Sequence, residues 1–223
     1  MEWRFLNDRL HGITLKNKRN IFNVKDYIIE TVIELAENRD EAYGGHTGRT
    51  VQILGLLIKG MIKRNLYANE LRAADVELLA EAAQLHDVGK ISIHDNILLK
   101  PDKLTVDEYE LMKMHVDFGI MLIDKFRKKT PDNNFWNYAR IMIETHHEKW
   151  NGTGYPNGLA GNKIPLYGRL MAITDVYDAL TTKRPYKKAL SVEEALAVIV
   201  KSGDTHFDPV IAKAFPEIIL AGR

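Results

Sequence analysis

Apolar residues recur every three or four positions through most of this chain, and strand-type alternation is nearly absent. That spacing restricts the fold to packed helices, because a 3.6-residue repeat is what places such residues on one buried face. After Asn23, a good N-cap, Ile28, Val32, Leu35 and Ala36 mark one such face. Gly44 and Gly45 break it, and a second helix is expected from about His46 to Arg64, with Val51, Leu54, Leu57, Ile58 and Met61 inward. Residues 70–86 repeat the pattern through Val76, Leu79, Ala83 and His86. Thr105 with Glu108 reads as a capping box, opening a helix that carries Leu111, His115, Phe118 and Leu122. Further helices are expected over 134–149, 168–182, 191–202 and 209–220. The expected class is all-α, a helical bundle of about seven or eight helices.

Two stretches depart from the pattern. Residues 151–165, NGTGYPNGLAGNKIP, hold Gly152, Gly154, Gly158 and Gly161 with Pro156 and Pro165. No helix or regular strand tolerates that density of breakers, so the segment is an ordered loop or a mobile flap. Residues 1–22 are basic and poorly patterned, and read as a linker or connecting segment ahead of one domain over 23–223.

Composition then removes whole classes. The 223 residues carry 31 Lys plus Arg against 30 Asp plus Glu, a net charge of +1, with eight His and no Cys. Without Cys there is no disulfide framework, zinc ribbon or Cys-ligated iron–sulfur cluster. A near-neutral balance argues against a DNA binder. No segment approaches the roughly 18 apolar residues of a membrane span. The charged N-terminus has no signal-peptide core. The expectation is a cytoplasmic protein that touches neither DNA nor membrane.

Any metal must therefore be held by His, Asp and Glu. His86-Asp87 closes one expected helix and His146-His147 another, while His46, His115 and Asp175 lie on three more, each flanked by apolar residues. Adjacent titratable residues are a poor way to build an apolar core, since each must find a partner or cost stability. Five imidazoles and two carboxylates exceed what one catalytic ion takes. They suit two ions with a bridging carboxylate, an arrangement able to activate a water for attack at phosphorus. Lys90 follows His86 by one helical turn, and Arg184 and Lys187 follow the Asp175 helix; all three could meet phosphate oxygens.

HDVGK, ILLKPDKLT, His115, HHEKWNGTGYPNGLAGNKIP, GRLMAITDVYDALTTKRPYKKAL and GDTHFDP, in this order, resemble the HD-GYP domain of the HD phosphohydrolases, over roughly residues 36–216. The resemblance implies an all-α fold around a metal centre. It implies a phosphodiesterase that hydrolyses cyclic di-GMP to linear pGpG or GMP, within 23–223 as the catalytic domain. Its metal ligands would be His46, His86, Asp87, His115, His146, His147 and Asp175, with Asp87 the bridge. Lys90 would face the phosphate, and Tyr155, Asp178, Arg184 and Lys187 the dinucleotide. The expected cofactors are two divalent ions, iron or manganese, with zinc, magnesium and nickel compatible. The expected partners are a GGDEF-domain cyclase docked on the GYP loop and a second copy joined through the N-terminal helices.

Some family members hold a third metal with an acidic residue four positions before the first His. Ala42 stands there, beside Glu41, so a binuclear centre is expected. Lys149 and Asn151 also depart from the usual Arg and Asp of this motif, which bears on the loop and not on the ligands. His11, His94, Asp102 and His206 are given no catalytic role. No sensory module precedes the domain in this sequence. That fits a stand-alone enzyme, or one regulated from elsewhere. Two other readings stay open: hydrolysis of another cyclic dinucleotide or nucleotide, and a catalytically silent module that binds GGDEF proteins through the GYP loop. Retention of all seven ligand types favours the enzyme.

Overall fold

The computed structural model describes residues 24–39, 46–129, 134–183 and 188–222. The chain divides into two compact units, Met1–Val32 and Ile33–Arg223. In the first, residues 24–32 are helical. They belong to α1 (Val24–Arg39). The second unit continues with α2 (His46–Lys63), α3 (Ala68–Ala73), α4 (Val76–Ala83), a 3₁₀ segment η1 (Val88–Ser92), α5 (Asp95–Leu98), α6 (Val106–Lys113), α7 (His115–Lys129) and α8 (Asn134–Thr145). It ends with η2 (Gly161–Lys163), α9 (Leu166–Thr181), α10 (Val192–Lys201) and α11 (Pro209–Ala221). No named strand occurs among the described residues; the pairing there is limited to isolated bridges, Asn151 with Ala160 and Gly203 with Phe207. The fold is an all-α bundle.

Helix ends follow their local chemistry. Thr105 and Glu108 make the expected capping box on α6, and Ser191 with Glu194 makes another on α10. Asp208 caps α11 with Pro209 in its first turn. Among the described residues there are more helical segments than the seven or eight expected, because two expected helices are split and the short α5 and two 3₁₀ segments are added. The stretch read as one helix over 70–86 is interrupted by extended Ala74, after which Asp75 caps α4. The helix beginning at Thr105 stops at Met114 and restarts at His115. The helix expected to reach 149 ends at Thr145, so His146-His147 lies in the turn beyond it.

The core lies between α2, α4, α8, α9, α10 and α11. Leu54, Leu57, Ile58 and Met61 of α2 meet Leu79 of α4, Leu170 and Ile173 of α9, Ile199 of α10 and Phe215 of α11, all buried in one cluster. Each such side chain contributes about 1.5–3 kcal/mol by leaving water. Around this core α8 packs on α4, α7 and α9, and α7 packs on η1. The ends of α4, α7 and α8 are thereby brought beside the first turn of α2.

Candidate metal centre

His46 opens α2, His115 opens α7, and Asp175 lies inside α9. His86-Asp87 occupies the turn between α4 and η1, and His146-His147 the turn after α8. A backbone carbonyl has two lone pairs, and the histidines use the spare acceptor capacity of carbonyls at helix ends. Nδ1 of His86 donates to the Ala83 carbonyl at 2.9 Å, that of His115 to Met112 at 2.8 Å, and that of His146 to Met142 at 2.9 Å. A carbonyl only accepts, so each bond puts the proton on Nδ1 and leaves Nε2 as a lone pair.

Those lone pairs converge. Nε2 of His86, His115 and His146, together with Asp87 Oδ1, are buried and make no hydrogen bond. The His115 and His146 nitrogens stand 3.4 Å and 3.6 Å from Asp87 Oδ1, and the His86 nitrogen 3.3 Å from Asp87 Oδ2. Each unsatisfied buried polar atom costs about 1–3 kcal/mol. A divalent cation is the partner that suits several lone pairs and a carboxylate at once. Two candidate groups result among the described residues: Asp87, His115, His146 and His147, and His46, His86 and Asp175, each with ligand atoms within 4.8 Å of one another. All seven residues singled out from the sequence lie in these groups. Asp87 turns its two oxygens toward different members of the pair of groups.

The protonation states suit a cation. Burial pushes His115 down to about 4. Burial, then the neighbouring His146 and His115, push His147 well below the ordinary imidazole value. For Asp87, burial alone would raise the pKa, but the Lys90 ammonium and His86 hold it well below the carboxylate range. Burial likewise opposes ionisation of Asp175, and bonding to His46 overcomes it. His115 and His147 are therefore neutral imidazoles and Asp87 and Asp175 ionised carboxylates at neutral pH, the forms that ligate. His46 differs. Burial would lower its pKa, yet hydrogen bonds to Asp175 and Asp178 raise it to about 9. A cation there has to displace a proton.

Lys90 sits in the centre, with Nζ 2.8 Å from Asp87 Oδ2. Tyr155 is also placed there, its ring stacked on His147 at 4.6 Å between centroids. Gly154 makes this contact available. A Cβ on Gly154 would lie 2.4 Å from Lys149 N and 2.5 Å from Glu148 Cα, so no other residue lets the loop fold so closely onto the HHEK turn. Residues 151–165 fold as an irregular loop tied back to the HHEK turn. Glu148 is 1% exposed. Its carboxylate accepts from Asn157 N at 2.8 Å and Leu159 N at 3.0 Å. Asn151 Oδ1 accepts from Thr153 N at 3.0 Å, so Asn at this position still builds the loop's first turn. The GDTHFDP segment pins the loop base, through Trp150 N to His206 O at 3.0 Å and Asn151 N to Thr205 O at 2.9 Å.

Asp178 was expected against the substrate, and its geometry differs. It is 2% exposed. It accepts from His46 Nδ1 at 2.6 Å and from Arg49 Nε at 2.7 Å. Its carboxylate meets the His46 ring because α9 turns it inward one helical turn after Asp175. Arg184, Lys187, Ala42, Glu41, His11 and the N-terminal segment lie outside the described residues. His94 precedes α5 without capping it. His206 stacks on Phe207 and is a member of neither ligand group. Sequence reasoning missed Arg49 and Glu148. Arg49 shared the turn of His46 and could have been noticed as a second polar residue on that face; Glu148 had only its place after the His doublet.

A bundle whose helix ends converge on clustered His and Asp defines a class. The chain belongs to the HD-domain family, whose model matches residues 30–211. Its HH doublet and GYP loop place it in the HD-GYP branch. It is 40% identical over 210 residues to a protein of Vibrio cholerae named a probable cyclic di-GMP phosphodiesterase, covering 94% of this chain and 48% of that one. It is 35% identical over 206 residues to a 3'3'-cGAMP-specific phosphodiesterase of the same organism, covering 92% and 38% respectively. The chain thus spans about half or less of the length of these relatives. The crystal structure of a cyclic GMP-AMP specific phosphodiesterase from Vibrio cholerae shares the fold, with a TM-score of 0.52, 21% identity, and coverage of 86% of this chain and 48% of that one.

Proposed function

We propose that this chain is a metal-dependent phosphodiesterase that hydrolyses cyclic di-GMP to linear pGpG or GMP. The observation that carries the reading is the set of buried, unpaired Nε2 atoms around Asp87, each imidazole backed through Nδ1. Asp87, His115, His146 and His147 would hold one ion and His46, His86 and Asp175 a second, with Asp87 shared. Iron or manganese is proposed, since N and O ligands without thiolate suit either. Bound, such ions supply Lewis-acid stabilisation and a nucleophile at neutral pH.

The chain's own residues do the rest. Lys90 brings a cation beside Asp87, where it neutralises a phosphate oxygen of a bound diester. Tyr155 covers His147 and gives a ring face to the nucleoside beyond the phosphate. Asp178 and Arg49 hold the His46 ring in place. Glu148 holds the GYP loop shut against the turn that carries His146 and His147. Arg184 and Lys187 are proposed to contact the dinucleotide. The loop's exposed outer side is proposed as the docking face for a GGDEF-domain cyclase, and the N-terminal segment as a homodimer contact. No described helix is long and apolar enough to cross a membrane; a cytoplasmic location is proposed.

The test is anaerobic purification, metal counting, and chromatography of products from cyclic di-GMP and from 3'3'-cGAMP. The expected result is about two metals per chain and faster turnover of cyclic di-GMP. Asp87→Ala should lose both metal and turnover. No turnover of either dinucleotide at full iron or manganese occupancy would falsify the enzymatic reading, and faster turnover of 3'3'-cGAMP would reassign the substrate.

A further inference from the structure

Helix α6 has no buried residue. Val106, Tyr109 and Leu111 are all exposed, so the helix adds little to the core. One of its faces nevertheless meets the centre. Tyr109 and Lys113, four residues apart and therefore neighbours on the helix surface, both approach the GYP tyrosine. The Tyr109 ring meets that of Tyr155 edge-on at 6.3 Å. Lys113 Nζ stands 5.1 Å from the Tyr109 ring centre and 5.4 Å from that of Tyr155. With Tyr155 stacked on His147, an aromatic line runs from the ligand groups to a half-exposed ring, with a cation above it. The helix is tied to the centre at this same C-terminal end, because its Met112 carbonyl holds His115 Nδ1.

Besides these two rings, the ion-pair partner of the cation is a surface carboxylate. Lys113 pairs with Glu110 at 2.7 Å, and the Glu110 side chain is 61% exposed. Such surface pairs are worth about 0–1 kcal/mol, so Lys113 can exchange this partner for a ligand. An ammonium is a donor only. Guanine presents two adjacent acceptors on one edge, N7 and O6, whereas adenine presents N7 beside an amino donor. Aromatic rings stack bases without regard to identity.

We infer that Tyr109 and Lys113 form a guanine subsite at the mouth of the centre. Tyr109 supplies the stacking ring and Lys113 reads the N7 and O6 edge. The inference rests on the cyclic dinucleotide reading above and adds to it the residue that selects guanine over adenine.

The experiment is calorimetric titration of the metal-loaded protein with GMP and with AMP, which are not hydrolysed further at a phosphodiester. Wild type should bind GMP about tenfold tighter than AMP. Lys113→Met should bring that ratio close to one. Tyr109→Leu should weaken both nucleotides alike by about tenfold, and Tyr109→Phe should restore them. Metal content and circular dichroism of each variant report folding separately. An unchanged GMP-to-AMP ratio in Lys113→Met overturns the inference alone, provided wild type binds GMP. Wild type that binds neither nucleotide and turns over no cyclic dinucleotide overturns the substrate reading and this inference together.

Discussion

Replacing Asp178 by Asn separates the two jobs its carboxylate could have, holding His46 or touching substrate. The native carboxylate accepts from His46 Nδ1 at 2.6 Å and from Arg49 at 2.7 Å and 3.1 Å. Asn keeps one acceptor oxygen for these donors and presents an amide N–H₂ in place of the second. His46 then loses the charge that fixes its ring, while the Arg49 side chain, 39% exposed, can turn to water. Loss of such an outer partner costs about 10–100-fold in metal affinity, or about 1.4–2.7 kcal/mol. The loss should fall on the group of His46, His86 and Asp175. The other group is backed by the Met112 and Met142 carbonyls, which the substitution does not touch. Chelator titration followed by metal analysis should show one class of ion loosened by that factor and one class retained, with KM at saturating metal changed by no more than about twofold. Full retention of both classes together with a raised KM would place Asp178 on the substrate and refute the positioning role.

Three further outcomes follow from the geometry. Glu148→Gln should leave metal content intact yet free the loop, since one amide oxygen cannot serve both Asn157 N and Leu159 N; cleavage within 151–165 by added protease should quicken, KM should rise several-fold, and an unchanged protease pattern would count against the anchor. Gly89→Ala should lower stability by about 3 kcal/mol or more, seen as a fall in Tm of roughly 6–12 °C, because its Cβ would lie 1.8 Å from the His115 carbonyl oxygen. In the metal-stripped protein, His46 at about 9 lends stability that is complete below its unfolded value of 6.5 and is lost as pH rises through about 9. His115, held neutral down to about 4, costs stability as pH falls below 6.5, since the unfolded chain then takes up a proton the native state refuses. Thermal unfolding without metal should therefore peak near pH 6.5, and reloading metal should remove the alkaline decline by displacing the His46 proton. A Tm that rises from pH 7 to 9 without metal would contradict this.

The bundle was readable from short-range chemistry. Periodic apolar residues such as Leu54, Leu57, Ile58 and Met61 define a buried face whatever packs on it, and Thr105 with Glu108 caps a helix without help from elsewhere. The clustering of His and Asp was legible too, because doublets such as His146-His147 have few other uses in an apolar setting. Helix boundaries were less so. Ala74 and Met114 carry no breaker signature, yet each ends a helix where packing turns the chain toward the centre.

What the sequence by itself determined is the helical class, the residue types that cluster and the presence of a loop too rich in Gly and Pro to be helix. What only the tertiary structure decided is which atom each polar side chain faces. Asp178 meets His46 across 132 residues of sequence, and Arg49 meets the same carboxylate across 129. Glu148 reaches forward to close the loop, and α6 turns Tyr109 and Lys113 on Tyr155 although it buries no residue of its own. Periodicity and capping are set within a turn or two of helix. The partner of a carboxylate or an ammonium is set by which helix ends the packing brings together, and no local pattern encodes that.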